Sequence, residues 1–301
     1  MISFKCKNCG GEMSVDSSGS LICEYCGSKE FFKDVDLTQY KEFRSQMLNY
    51  LRGVHDAKAD GKEREEMLWG HAEEKVLKSA EGDEITIRYL YTYEEDAATV
   101  YLTRNNAIFV YSSSEASIAY KALAAIERLS FPPADVKGLA DCFPKLNGKY
   151  ELAGGGVMLA FARSDNLFPL PMFGSLAPEH VAWVISRLEN ICCVLEYSDL
   201  VHGGISEDSV WINPFNHHAV LMGHWHTVLS KSASNSGMDL YDLRKTAVRI
   251  LGMHKNEAPK ALMDFIEGKP EADAFADFEK WDKVIETGFG GRRFAKMDVN
   301  F

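Results

Sequence analysis

The spacing of apolar side chains divides the chain into segments with different periods. Over residues 37–54 these side chains recur at intervals of three and four, which is the spacing of one helical face. They are Tyr40, Phe43, Met47, Leu51 and Val54. A charged stretch follows, and a second helix is predicted over residues 67–82. The pattern therefore predicts a helical linker that spans residues 34–82.

The next part of the chain has a period of two. Apolar side chains alternate with polar ones over residues 85–91, which predicts a strand. Two further strands are predicted over residues 99–103 and 107–111, and a helix over residues 115–129. A β-hairpin is then expected around the glycine run 154–156, because glycine permits a tight turn.

The C-terminal part of the chain is predicted to be mostly helical. Helical patterns dominate from Pro178 onward, apart from a short β segment over residues 210–222. A mostly β segment that leads into a mostly helical one indicates an α+β fold with two lobes. We assign residues 83–176 to a β-rich small lobe and residues 177–301 to a helical large lobe with a C-terminal tail.

The composition is that of an ordinary globular protein, with 46% hydrophobic and 26% charged residues. The formal net charge is −11, which repels a polyphosphate backbone and disfavours nucleic acid as a general partner. The sequence contains no apolar run with the length of a signal peptide or a membrane span. We therefore expect a cytoplasmic protein that does not associate with membranes.

Four of the seven cysteines form two Cys-x-x-Cys pairs within residues 1–33. The pairs are Cys6 with Cys9 and Cys23 with Cys26, and a glycine follows each pair. This spacing places two thiolates on each of two tight turns, which is the arrangement that binds a tetrahedral Zn²⁺. Because all four ligands are supplied by the protein, we expect one structural ion rather than a catalytic one.

Disulfide pairing or free thiols are the alternatives for these cysteines, and a reducing compartment disfavours disulfides. The pattern resembles that of zinc ribbons, many of which bind nucleic acid or protein. Lysines and acidic side chains balance one another in this segment, so it lacks an electrostatic footprint for phosphates. Contact with a protein is the favoured interpretation.

Residues 200–214 read Leu-Val-His-Gly-Gly-Ile-Ser-Glu-Asp-Ser-Val-Trp-Ile-Asn-Pro. This string resembles the catalytic loop of the protein-kinase and aminoglycoside-phosphotransferase superfamily, which runs His-Arg/Gly-Asp, then to an asparagine and a β-hairpin. His202 and Gly203 fit this pattern. The resemblance places the position of the catalytic aspartate at Gly204 and that of the magnesium-binding asparagine at Ser209. Neither residue can supply the group that the family uses.

The resemblance continues on both sides of this loop. The Asp-Phe-Gly magnesium motif is expected to begin at Gly223, where the chain reads Gly-His-Trp. Asp239 resembles the family's aspartate that hydrogen-bonds the catalytic-loop backbone. In the small lobe, Tyr111 falls near the phosphate-binding lysine position and Glu127 falls on the helix of the ion-pair glutamate. No glycine-rich loop precedes them.

The resemblance implies a bilobal kinase-like domain without catalytic residues, which is a pseudokinase. Its implied role is a scaffold or regulator that binds an unidentified protein, with weak or absent binding of Mg²⁺-ATP. One alternative is an unconventional ATP-dependent phosphotransferase that uses Glu207 or Asp208 as metal ligands. Another is a zinc-ribbon adaptor that binds nucleic acid through Lys5 and Lys7. An unrelated α+β fold is a third.

His224 and His226 lie two residues apart and would share one face of an extended segment. With Glu207 or Asp208 nearby, they are candidate ligands for a metal ion. Ordinary packing is the favoured interpretation of this pair.

Overall fold

The structure, a computed structural model, describes residues 4–5, 12–15, 20–23, 25–26, 29–31, 34–56, 68–95, 97–132, 138–293 and 295–297. The chain divides between Ala72 and Glu73 into two compact units. Among the helices that the structure describes, none combines the length and the apolar character needed to cross a lipid bilayer.

The first unit contains a small antiparallel sheet and one long helix. The sheet has the order β1-β2-β3-β4, so each strand pairs with its neighbour in sequence. The strands are β1 (Phe4–Lys5), β2 (Glu12–Val15), β3 (Ser20–Cys23) and β4 (Lys29–Phe31). Helix α1 (Asp34–Asp56) follows, and it buries Phe43, Met47 and Leu51 at the predicted helical spacing. The helix predicted over residues 37–54 is confirmed.

The second unit begins with a six-stranded antiparallel sheet of order β5-β6-β7-β8-β10-β9. One helix, α2 (Ala116–Ile126), connects β8 to the last hairpin and buries Ala119, Ala122 and Ala125. The strands are β5 (Glu73–Lys78), β6 (Glu84–Glu95), β7 (Ala98–Thr103), β8 (Asn106–Tyr111), β9 (Leu146–Glu151) and β10 (Val157–Ala162). The predicted strands, helix and glycine hairpin of this segment are confirmed.

The helix predicted over residues 67–82 is wrong, because β5 occupies Glu73–Lys78 and pairs with β6. β5 is an edge strand whose side chains are mostly exposed, so its sequence, Glu-Glu-Lys-Val-Leu-Lys, also suits an exposed helix. Cross-strand contacts settle its conformation: Glu74 lies opposite Arg88, and the Tyr89 hydroxyl donates to Glu73 at 2.8 Å. Such long-range pairs outweigh local helix propensity.

Helices dominate the remainder of this unit, as predicted from Pro178 onward. A proline at the first turn suits the start of α3, since it has no N–H to leave unpaired. The helices are α3 (Pro178–Tyr197), α4 (Met238–Leu251), α5 (Lys260–Ile266) and α6 (Ala274–Phe289). Short strands lie between and before them: β11 (Phe168–Pro169), β12 (Leu200–Val201), β13 (Val210–Asn213), β14 (His218–Leu221) and β15 (Leu229–Ser230).

The hairpin β13–β14 is the β segment predicted over residues 210–222. Its first strand also pairs with β11, which gives a buried three-stranded sheet. The loop between β12 and β13 and the segment after β14 both emerge at this small sheet. They carry the residues that the sequence singled out.

Candidate functional site

The carboxylate of Asp239, in the first turn of α4, holds the loop between β12 and β13. It accepts the backbone N–H of His202 at 2.8 Å and that of Gly203 at 2.7 Å. This is the contact that the family resemblance implies for Asp239. Burial raises the pKa of Asp239 to about 6, although the two backbone bonds act in the opposite direction.

His202 is fully buried beneath this loop, with its ring edge-on to Trp225 at a centroid distance of 5.0 Å. Burial, followed by the effect of the neighbouring His224, lowers its pKa to about 3, so the ring is neutral. Trp225 is in turn fixed by its indole N–H, which donates to the Leu221 carbonyl at 2.9 Å. His202 therefore packs inside the protein and does not face a substrate.

Gly204, which the sequence resemblance aligns with the kinase superfamily's catalytic aspartate, lies in a crowded place. A Cβ at residue 204 would approach His224 Cβ to 3.0 Å and Thr227 Oγ1 to 3.1 Å. The carbonyl of Gly204 is also 3.1 Å from His224 Nδ1. An aspartate at this position would require movement of the His224 ring or of Thr227.

Ser209, which the sequence resemblance aligns with the magnesium-binding asparagine, is fully buried within its own loop. Its Oγ donates to the Ser206 carbonyl at 3.1 Å and accepts the Ser206 N–H at 2.9 Å. These bonds close a compact turn of the kind that serine forms with neighbouring backbone. The hydroxyl is therefore engaged in holding the loop.

Glu95, the last residue of β6, reaches the segment that follows β14. Its Oε1 accepts the backbone N–H of His224 at 3.2 Å and lies 3.7 Å from His224 Nε2. Oε1 also occupies the space that a Cβ at residue 223 would take, so only glycine fits there without movement. Glu95 is only 8% exposed.

His224 adopts a left-handed backbone conformation, with φ 60° and ψ 23°. This conformation is uncommon for residues other than glycine and indicates a position that its surroundings fix strongly. The bonds to Glu95 and to Gly204 are two such constraints. They place the imidazole between the Gly204 carbonyl and the Glu95 carboxylate.

Two further acidic side chains were candidates for metal ligands. Glu207 is 5% exposed and pairs with Arg249 at 3.3 Å, so it has a structural partner. Asp208 is half-buried and lies close enough to Tyr93 to act on its pKa. Burial, followed by the charges of Glu95 and Asp208, raises the pKa of the Tyr93 hydroxyl well above its usual value. The carboxylates of Glu95 and Asp208 therefore both act on the pKa of Tyr93, near the end of β6.

In the described parts of the chain, no three His, Cys, Asp or Glu side chains are arranged to hold a metal ion. His224 and His226 do not form such a site there, and their rings are 6.4 Å apart. Glu127 caps the end of α2 and is exposed, and Tyr111 is buried in β8. Neither is placed in contact with the loop of His202 by the interactions described.

The predicted zinc ligands fall in the first unit. Cys23 ends β3 and is buried, and Cys26 lies in the turn that follows. Cys6 and Cys9 lie outside the described residues. Cys6 directly follows β1 in sequence, and Phe4 of β1 and Cys23 of β3 both pair with Met13. The pairing register thus brings β1 and β3 to either side of β2.

Sequence reasoning missed Glu95. It lies in the run Tyr-Glu-Glu-Asp-Ala-Ala between two strands, which suits an exposed hairpin turn as well as a buried contact. The sequence offered one signal of this contact, which is Gly223. The kinase resemblance leads us to expect an aspartate there. A glycine in place of a functional residue indicates close approach by another group.

Comparison with solved structures identifies the fold of the second unit. The structure of vaccinia related kinase 3 matches 75% of this chain and 95% of its own length, with 11% identity and a TM-score of 0.53. A rhoptry kinase from Toxoplasma gondii matches 72% and 84%, with 11% identity and a TM-score of 0.52. The kinase domain of a Toxoplasma gondii specific rhoptry antigen matches 81% and 97%, with 10% identity and a TM-score of 0.52.

The chain has a protein-kinase-like fold. The six-stranded sheet with α2 is the small lobe, and the helices from Pro178 onward belong to the large lobe. No protein-family model and no curated protein matches the chain. Because the identity is so low, these neighbours establish the fold and carry no conclusion about catalysis.

Proposed function

We propose that this chain is a catalytically inactive kinase-like protein that acts as a protein-binding scaffold or regulator. The observation that carries the proposal is the contact of the Glu95 carboxylate with Gly223 and with the His224 N–H. In active kinases the position of Gly223 holds the aspartate that binds Mg²⁺ at the phosphates. Here a carboxylate from the small lobe fills the adjacent space.

Phosphoryl transfer depends on placing metal ions and a base around the transferred group. Gly204 and Gly223 have no side chain for those tasks, and the Ser209 hydroxyl is engaged with Ser206 in its own loop. Glu95 and Asp208 add negative charge where a triphosphate would bind, and like charges repel strongly at a poorly solvated site. For Mg²⁺-ATP to enter, Glu95 would have to give up its bond to His224.

The first test is the melting temperature of the full chain with and without millimolar Mg²⁺-ATP. A ligand that binds only the native state raises this temperature, so we expect no shift. A Mg²⁺-dependent rise in the wild-type protein would show that the native state binds nucleotide, which would contradict a nucleotide-free scaffold and reopen phosphotransfer. Glu95→Ala tests the cause, with Glu94→Ala as the matched control, because Glu94 is exposed and accepts a hydrogen bond from Thr99 of the neighbouring strand. A nucleotide-dependent shift confined to Glu95→Ala would identify Glu95 as the block.

The second candidate function is an unconventional phosphotransferase. The half-buried Asp208, close to Tyr93 and on the same loop as Gly204, is the observation that favours it. Transfer of phosphate from ATP that is abolished by Asp208→Ala, but survives Asp165→Ala in an exposed loop, would establish this function. Absence of transfer in the wild-type protein would exclude it under those conditions.

We further propose that Cys6, Cys9, Cys23 and Cys26 hold one structural Zn²⁺. The donor set fits, since the described pair has a buried thiol at the end of β3 and a second in the turn three residues later. When bound, a structural Zn²⁺ would cross-link these short strands. In this proposal the N-terminal unit is a contact surface for a protein, as its balanced charge favours.

A further inference from the structure

In the part of the chain that the structure describes, one face of α4 is uncovered and forms the floor of a cavity. The opposite face of the helix packs into the core through Leu240, Leu243 and Ala247. The cavity has a volume of about 630 Å³, and we call it the α4 groove. Its lining residues are Tyr241, Arg244, Lys245, Val248 and Arg249 from α4, and Ile266, Glu267, Gly268 and Lys269 from the end of α5 and the following loop.

The floor of the α4 groove has an apolar component. Tyr241 is 45% exposed although it is a large aromatic residue, and Val248 and Ile266 line the groove beside it. A partly exposed tyrosine in a concave site is typical of a contact with another protein, because it offers a large apolar area and a hydroxyl.

The rim of the α4 groove is basic, in contrast to the whole chain with its net charge of −11. Lys245 has a side chain that is 69% exposed, and Lys269 is also exposed. Glu267 is the acidic residue among those that line the groove. The lysine charges therefore face solvent and are available to a ligand.

The other basic residues contribute less, because acidic side chains already bind them. Arg244 is buried and bonds to Asp277 and Glu189, and Arg249 pairs with Glu207. Asp242 lies 3.4 Å from Lys245, but this exposed pair is weak. The positive charge of the groove therefore resides mainly on Lys245 and Lys269.

We propose that the α4 groove binds an acidic segment of a partner protein, one that also carries apolar side chains. Charge complementarity selects the acidic segment, and Tyr241 and Val248 accept the apolar side chains. This inference rests on the proposed protein-binding role and names the chemistry of the partner. It does not depend on the absence of nucleotide from the cleft, so the nucleotide tests above and the test below can fail independently.

The probe is a short fluorescein-labelled peptide that alternates glutamate with leucine, titrated with the full chain at low salt while anisotropy is recorded. A second peptide with lysine in place of glutamate controls for apolar binding. The test variant is Lys245→Glu with Lys269→Glu. Its matched control is Lys75→Glu with Lys121→Glu, two exposed lysines on β5 and α2 that give the same change in net charge. Melting temperatures check that both variants fold.

We expect the acidic peptide to bind the wild type and the control variant. Affinity should fall by about tenfold or more in the groove variant and should weaken as salt is added. Tyr241→Ala should also weaken binding, since it removes apolar area without changing charge. Three outcomes would each overturn the proposal: no binding of the acidic peptide at millimolar protein, equal binding of the basic peptide, or an equal loss in the control variant.

Discussion

Glu95 Oε1 lies against Gly223, in the volume that a Cβ at residue 223 would occupy. The same carboxylate accepts the N–H of the next residue, His224, at 3.2 Å. The end of β6 in the small lobe is thereby connected to the segment after β14 in the large lobe. In this kinase-like fold, the identity of residue 223 and the position of Glu95 are coupled.

Gly223→Ala should destabilise the protein by about 1–3 kcal/mol, because the new methyl displaces a buried carboxylate from its hydrogen bond. In a Glu95→Ala background the same substitution should cost much less, since the space is then free. Urea unfolding of the wild type, both single variants and the double variant measures this coupling, which we expect at about 0.5–3 kcal/mol. The same cost for Gly223→Ala in both backgrounds would show that the two residues are independent.

Asp239→Asn should lower the free energy of unfolding by about 1–3 kcal/mol at pH 7. The carboxylate oxygens accept the backbone N–H groups of His202 and Gly203, one each. The amide keeps only one acceptor oxygen, so its NH₂ group would face the other N–H and leave that donor unsatisfied. Asp165→Asn, in an exposed loop, should change stability little. Urea denaturation followed by tryptophan fluorescence makes the comparison.

A neutral outcome for Asp239→Asn would mean that water or another group satisfies these N–H donors.

The pH dependence of stability provides a second test of Asp239. Because the folded pKa of about 6 is above the unfolded value of 3.8, protonation favours the folded state between those values. The contribution of Asp239 to stability should therefore fall as pH rises from about 4 to 6, and Asp239→Asn should lack this trend.

The contact of Asp239 was implied by the sequence, whereas that of Glu95 was not, and the difference is physical. Asp239 follows a recognisable loop motif and begins a helix with a strong apolar period, so local pattern places it. Glu95 acts on residues more than a hundred positions away, and nothing in its local sequence distinguishes it from the exposed Glu94. The helix prediction for the segment of β5 was wrong for a similar reason, because the charged residues of this strand are stabilised by partners on β6.

Three buried ionisable residues join the helices of the large lobe. Arg244 of α4 forms two bonds to Asp277 of α6, at 2.8 and 2.6 Å, and a weaker one of 3.3 Å to Glu189 of α3. Its guanidinium also stacks on the Phe265 ring. Burial and the charge of Asp277 raise the pKa of Glu189 to about 9, against the opposing effect of Arg244. At pH 7 the Glu189 carboxyl is therefore neutral, beside the ion pair of Arg244 with Asp277.

Two variants of this cluster should behave differently at pH 7. Asp277→Asn should destabilise the fold by about 3–5 kcal/mol, since it leaves the buried Arg244 charge without its anion. Glu189→Gln should cost much less, because it replaces a neutral carboxyl by a neutral amide. Glu279→Gln, exposed on the same helix α6, is the control. Equal losses for the two buried variants would contradict the assigned charges.

The sign of the pH effect at Glu189 follows from its raised pKa. Between about 4.5 and 9 the folded state keeps a proton that the unfolded state has released, so its contribution to stability falls as pH rises. The limit of this loss is about 1.4 kcal/mol per pH unit. Glu189→Gln should therefore gain stability relative to the wild type between pH 6 and pH 8. A constant difference across that range would count against a neutral Glu189.

The zinc assignment predicts that purified protein carries one Zn²⁺ per chain and that a strong chelator removes it. The strands β1 to β4 are only two to four residues long, so the N-terminal unit should lose its fold without the ion. Cys23→Ser and Cys26→Ser should lower the zinc content measured after dialysis. Cys193→Ser, a half-buried thiol in α3, should not change it.

Protease digestion provides the readout for the fold itself. Chelation should expose the first unit to cleavage while the kinase-like second unit stays intact, because the latter has its own apolar core. Full zinc content in Cys23→Ser would contradict the assignment of Cys23 as a zinc ligand, since the thiolates bind Zn²⁺ as a set of four. If the metal-free first unit resists protease, its fold does not depend on the ion. The assignment of the four cysteines as zinc ligands would then stand without a role in folding.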